Sequence, residues 1–349
     1  MAIWLFRSGK SGQYESKFLN EGKIFLTWDS LDTDLSKFKD KSELLKFLID
    51  FYDSQKRNTI RNWLGQIWPI AKEIKIGDWV VLPSKMKAAI HIGEITGEYQ
   101  FDKKATNPFY HSRTVKWMAK DIPRTNFDQD LLYSFGAFMT VCQIHRNNAE
   151  ARIRAMSKNG WFSTITKTTK FKTADLAESS DDAADDETDL ELLANDQIAK
   201  FLIRKFQGHG MAIIIDAILR AKGYTTYRSP EGTDKGVDIL AAPEPMGFGT
   251  PRLCVQVKSG DTPVDRATLD QLIGAMQNFH AEQGLLVSWS GFKNTIDKEI
   301  PSQFFRVRLW GQKEIIQELV SNYDKIDDEI KAELPLKRIW SLSLSEDES

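Results

Sequence analysis

SPEGTDKGVDILAAPEPMGFGTPRLCVQVKSG, residues 229–260, contains two short apolar runs joined by the glycine-rich stretch EPMGFGTPR. The runs read as strands over 237–241 and 252–257, with turn residues on either side. Side chains alternate along a strand, so Gln256 and Lys258 share one face and Val255 and Val257 the other. The glycine-rich connection lets the two strands pair and brings Asp238 beside Gln256. Outward from this centre, helical spacing of apolar residues marks 211–221, which stops at Gly223, and 267–279 and 312–323. Further strands are expected at 225–228, 284–288 and 305–309. Helices alternating with strands in this order imply a mixed sheet flanked by helices, an α/β sandwich.

An acid, a second oxygen donor and a lysine on neighbouring strands form the minimal protein set for metal-assisted phosphodiester hydrolysis. A divalent cation sits against the phosphate, a water is activated beside it, and a positive group supports the growing charge. Magnesium keeps several waters and needs only one or two side chains. The stretch GHGMAIIIDAILRAKGY, the GVDI and VQVK strands and QGLLVSW together resemble the Mrr restriction endonucleases of the PD-(D/E)xK superfamily, over about 205–325. The resemblance implies a DNA endonuclease using Mg2+, with Mn2+ able to substitute. Asp238 would be a metal ligand, Gln256 the second ligand in the place of the superfamily's Glu, and Lys258 the catalytic lysine. The family's first helix carries a metal-supporting Glu where this chain has Ala212. Asp216, one turn on, is the candidate replacement, against the reading of a solvent-facing helix acid. Asp234 reads as a turn cap and His209 as a helix cap or phosphate contact. Lys293, Gln271 and Ser288–Trp289–Ser290–Gly291 are expected near the DNA side.

Upstream, residues 174–196 are acidic, rich in small residues and nearly free of aromatics, the composition of a linker. Before them, strand-like runs at 2–6, 23–28, 78–82, 89–97 and 113–120 suit a small β-barrel, interrupted by helices at 41–51 and 55–67. The Arg-Ser-Gly start, the Trp-Asp…Asp-Leu-Ser stretch and the Gly-Asp-Trp-Val turn resemble the PUA-like barrels, most nearly the EVE domain. That resemblance implies an aromatic pocket for a modified base of nucleic acid, or for a nucleotide. Trp28, Trp79, Trp117 and Tyr99 are the candidate walls, and Ser8, Lys10 and Lys85 the polar contacts. A base stacked on such a ring gains roughly 1–3 kcal/mol. Arg7, Lys10, Lys17, Arg113, Lys116, Lys120 and Arg124 could line a phosphate-contacting face or be ordinary solvated charges. Most of the 10 tryptophans will be core, Trp4 and Trp79 among them.

The expected organisation is a reader at 1–150, a helix and acidic linker at 151–200, a nuclease at 201–330 and a tail at 331–349. The formal net charge of -2 excludes a uniformly basic nucleic-acid coat. The 2 cysteines exclude a disulfide framework, and no CxxC points to zinc. The opening MAIWLFRSGKSG reads as neither signal peptide nor membrane span, so a cytoplasmic protein with no membrane partner is expected. No GxxxxGK[ST] motif is present. Together these point to a modification-dependent, type IV-like restriction enzyme for defence against phage or foreign DNA. It would work as a homodimer or higher oligomer, since one site cuts one strand. A nucleotide-activated non-specific DNase, a repair nuclease and a catalytically degenerate DNA-binding protein remain as rival readings.

Overall fold

The computed structural model describes residues 1–137, 139–163, 190–230 and 236–339. Asp234, most of the acidic stretch and the end of the expected tail lie outside them. The chain divides into two units, the first running from Met1 to Asp196 and the second beginning at Gln197.

The first unit contains β1 (Ile3–Phe6), α1 (Glu15–Glu21), β2 (Lys23–Leu26), α2 (Lys41–Phe51), α3 (Arg57–Lys72), β3 (Trp79–Pro83), β4 (Ala89–Ile95), β5 (Gln100–Phe101), β6 (His111–Pro123), α4 (Gln129–Ser134), β7 (Val141–Gln143) and α5 (Ala149–Lys158). Its strands form one seven-stranded sheet in the order β2-β6-β4-β3-β1-β7, with β5 paired to β6. The expected barrel is therefore a curled half-barrel, whose path ends at β2 and β7 without closing among the described residues. The IWLF run of β1 is apolar throughout because both faces of the sheet are covered. Trp4 and Phe6 pack with Leu44, Leu48 and Ile67 from α2 and α3. Ile3 and Leu5 pack with Leu131 and Ile153 from α4 and α5. The Asp40 carboxylate caps α2 by accepting from the Ser42 and Glu43 amides, which sets the start of that helix.

The second unit begins within α6 (Leu190–Phe206), whose first residues belong to the acidic stretch and are helical rather than linker. It continues with α7 (His209–Ala221), β8 (Tyr224–Arg228), β9 (Ile239–Pro243), β10 (Leu253–Lys258), α8 (Arg266–Asn278), β11 (Gln283–Ser288), α9 (Asn294–Asp297), α10 (Ile300–Gln303), β12 (Val307–Trp310), α11 (Gln312–Asn322) and α12 (Asp328–Glu333). The sheet order is β12-β11-β10-β9-β8. Strands β10, β11 and β12 are parallel, whereas β9 and β8 continue the sheet antiparallel. Val255 and Val257 face a core built with α6, α7 and α11. Cys254 faces the opposite core, built with α8. The Cys254 thiol is fully enclosed, and burial pushes its pKa up to about 11. Among the described residues, no helix is long and apolar enough to cross a membrane.

One buried network of the first unit has a pH signature. The His111 Nε2–H donates to the Leu31 carbonyl at 2.7 Å, and Nδ1 lies 2.8 Å from the Tyr99 hydroxyl, which itself accepts from the Leu35 amide. Burial is the largest influence on His111 and pushes its pKa down from 6.5 to about 4, so the ring is neutral in the folded chain. The unfolded chain takes up this proton first, so stability falls as pH drops from about 6.5 to about 4 and is flat above that window. The expected loss from this group is on the order of 3 kcal/mol. Urea titrations between pH 7 and pH 4 check this, with His111→Gln showing a shallower acid slope than the parent.

Candidate active site

The chain brings the end of β10, the approach to β9, the end of β8 and the start of α7 to one place. They enclose a cavity of about 650 Å3 lined by Asp238, Lys258, Ser259, His209 and Ala212, with Lys293 reaching it from the loop after β11. Asp238 sits just before β9. Its amide donates to the Val255 carbonyl at 2.9 Å, and its carboxylate Oδ2 accepts from the Val257 amide at 2.6 Å. The acid is thus fastened to the strand that carries the lysine. Lys258 is exposed and forms no ion pair among the described residues, and its carbonyl accepts from the Trp289 amide at 2.9 Å.

Gln256 lies one pleat back from Lys258 and does not line the cavity. The pairing of β9 with β10 runs from Leu253 with Ala241 to Val255 with Ile239, and Gln256 and Asp238 are the next residues along each strand. Gln256 is only 2% exposed, and its Oε1 is buried with no hydrogen-bond partner among the described residues. Leaving such an oxygen unpaired costs about 1–3 kcal/mol. A divalent cation, which can accept an oxygen lone pair, would remove that cost. An acid and a neutral amide oxygen at adjacent register positions fit a magnesium-type ion that keeps its waters. The described residues hold no cluster of three His, Cys, Asp or Glu side chains suited to a metal.

Asp216 is not brought to this place. It lies one turn beyond Ala212, buried beneath two guanidiniums, with Arg220 at 3.3 Å and Arg228 at 3.7 Å. It is neither the solvent-facing acid nor the cavity ligand that the spacing allowed. Trp289 is core, 5% exposed, and the Ser288 hydroxyl donates to the Gly291 carbonyl. Gln271 is exposed on α8 and does not line the cavity. Lys293 does, paired with Asp265 at 3.6 Å.

Several polar residues of the cavity escaped the motif reading, among them Ser259, Asp261 and Asp265 in SGDTPVD directly after the lysine. Asp261 and Asp265 add carboxylates to the lining, although Asp265 also caps α8 through the Thr268 amide. The Ser259 hydroxyl clasps Gly208, accepting from its amide at 2.8 Å and donating to its carbonyl at 3.3 Å. Gly208 precedes α7 with φ +73° and ψ −135°, a conformation open to glycine and strained for other residues. This clasp holds the helix entry with His209 and Ala212 over the end of β10.

In the first unit, the candidate pocket residues are dispersed. Trp79 is 8% exposed and sits in a core, with the Arg154 guanidinium 4.3 Å over its ring. The Trp117 indole donates to the Phe18 carbonyl, and Tyr99 belongs to the His111 network. Ser8 is buried, and Lys10 is exposed in the loop after β1. Trp28 is half-buried beside a partly open aromatic group, edge-on to Trp63 at 6.2 Å, with Tyr52 against Trp63 at 5.2 Å. Three arginines assigned to a possible phosphate-contacting face are instead buried. Arg7 donates to the Phe135 and Ala137 carbonyls, Arg113 to the Ile70 and Gly97 carbonyls, and Arg124 to both oxygens of Asp196.

Comparison with known families adds to this geometry. The family described as restriction endonuclease, the Mrr catalytic domain, matches residues 203–319. The second unit carries an Mrr-type restriction endonuclease domain. The matched span contains the cavity-lining residues Asp238 and Lys258. A domain of unknown function matches residues 4–141, where the EVE resemblance was drawn. A search of curated proteins gave no match. Similar solved structures include the DNA modification-dependent restriction endonuclease AspBHI, at 13% identity and a TM-score of 0.33, covering 90% of this chain and 79% of that one. Another is the MspJI restriction endonuclease in complex with a 27-mer oligonucleotide, at 12% identity and a TM-score of 0.31, covering 90% and 73%.

Two substitutions test the clasp. Gly208→Ala meets no atom within 4 Å, so its cost is backbone strain alone, about 1–3 kcal/mol. Ser259→Ala removes both hydrogen bonds to Gly208 and costs about 1 kcal/mol. Denaturant titration followed by tryptophan fluorescence measures both.

Proposed function

We propose that this chain is a modification-dependent, type IV-like restriction endonuclease, active with Mg2+ or Mn2+, that cuts DNA carrying a modified base. The observation that carries the nuclease half is the meeting of Asp238 and Lys258 in one cavity, with the unpartnered Gln256 oxygen two residues before Lys258 on the same strand. Asp238 and Gln256 would hold the divalent cation. When bound, that ion polarises a phosphate oxygen and makes a nearby water more acidic. Lys258 places an ammonium, unpaired among the described residues, beside the scissile phosphate and supports the negative charge that grows there. The amide of Val257 fixes the Asp238 carboxylate, so the acid need not reorganise when substrate arrives.

The reader half rests on the resemblance of the first unit to EVE-type domains and on the partly open aromatic group around Trp28. Trp79, Trp117 and Tyr99 are already engaged in the fold, which leaves Trp28 as the ring for a flipped base. Asp29 stands next to it, hydrogen-bonded by the Asn107 amide group. Defence against phage or foreign DNA, from a cytoplasmic location, is the role such an enzyme serves. Because each chain offers one Asp238–Lys258 site, cutting both strands calls for a homodimer or larger assembly.

Cleavage of matched unmodified, cytosine-methylated and hydroxymethylated duplexes by the purified chain with Mg2+ or Mn2+ tests both halves. The expected result is cutting of one modified substrate, reduced at least 100-fold by Lys258→Ala. Trp28→Ala is expected to lower discrimination between substrates by roughly 5- to 100-fold. Equal cutting of all three substrates would remove the reader and keep the nuclease.

A further inference from the structure

The amino ends of β10, β11 and β12 lie about 17 Å along the sheet from the catalytic cavity, five strand steps from Lys258. A groove of about 210 Å3 opens there, and its lining includes Lys222, Tyr224, Phe305, Arg306, Arg308 and Trp310 but no carboxylate. Phe305 is 86% exposed, and its neighbour Phe304 is 50% exposed. The two rings meet edge to face at 5.2 Å, and the Arg308 guanidinium lies 4.6 Å over Phe304. Lys222 is paired with Glu318 at the rim, whereas Arg306 and Arg308 form no ion pair among the described residues. The Arg306 carbonyl accepts from the Gly284 amide, so the backbone that presents these groups is fixed to the sheet.

An exposed phenylalanine costs solubility unless something covers it. Apolar partners alone would not call for cations without acids around it. Exposed ring faces and guanidiniums side by side suit a phosphate backbone whose bases are free to stack. A duplex keeps its bases stacked on one another and offers none to Phe305. We propose that this groove binds unpaired nucleotides of DNA, with phosphates on Arg306 and Arg308 and a base stacked on Phe305. The site is separate from the cleavage cavity and does not depend on which base the first unit reads.

The test is fluorescence anisotropy of a short labelled oligothymidylate with the full chain carrying Lys258→Ala, without divalent ions. Phe305→Ala is expected to weaken binding roughly 5- to 100-fold, and Phe305→Trp to restore it. Arg306→Ala and Arg308→Ala should each flatten the salt dependence by about 0.7 in log–log slope. The same substitutions in the chain that retains Lys258 should leave cleavage intact, showing that the domain is folded. Absence of oligothymidylate binding, or unchanged affinity in Phe305→Ala, would overturn the proposal. So would a fall in sedimenting mass of Phe305→Ala with unchanged affinity, which would assign the groove to a second copy of the chain.

Discussion

Burial of β10 on both faces is the constraint on which the nuclease unit depends. Cys254, Val255, Gln256 and Val257 are all enclosed, so this strand can carry an exposed polar group only where it leaves the sheet. Lys258 is that residue, and the cavity forms around it. The same enclosure makes Gln256 conspicuous. A strand packed between two cores gains nothing from an amide oxygen without a donor, and a valine would fill the place at no such cost. On the proposed reading, the sheet tolerates the loss because a bound cation would take that oxygen as a ligand, as unsatisfied groups at functional sites do.

The second unit was read well from sequence because its signals are local. Apolar runs of strand length, glycine stops and helical spacing placed β8 to β12, α7, α8 and α11 within two residues or so of their observed ends. In the first unit α2 was placed at its observed bounds, since Asp40 supplies a clear start. The short elements α1, β5, α4 and β7 carry too few residues for a period to show. The opening turn of α6 was hidden by its acidic composition, which reads as linker when its neighbours in space are unknown.

The errors at the level of side chains share a cause. Arg7, Arg113 and Arg124 look like surface charge in a sequence, yet each is buried and donates to carbonyls or a carboxylate far away in the chain. Asp216 stands at a spacing that suits the cavity but meets Arg228 from the neighbouring strand β8. Such pairings span turns and strands, and no local pattern encodes them. By contrast, Gln256 and Lys258 sit on one strand, where alternation alone fixes their relation.

The enclosure of Cys254 has a practical consequence. Its thiol is shielded by α8 on the face opposite α7, and it holds its proton well above neutral pH. Cys142, in β7 of the first unit, is only half-buried. Alkylation of Cys254 must therefore wait for the sheet and α8 to part, so its rate is a clock for opening of the nuclease unit alone. Cys142 reports on the other unit within the same sample.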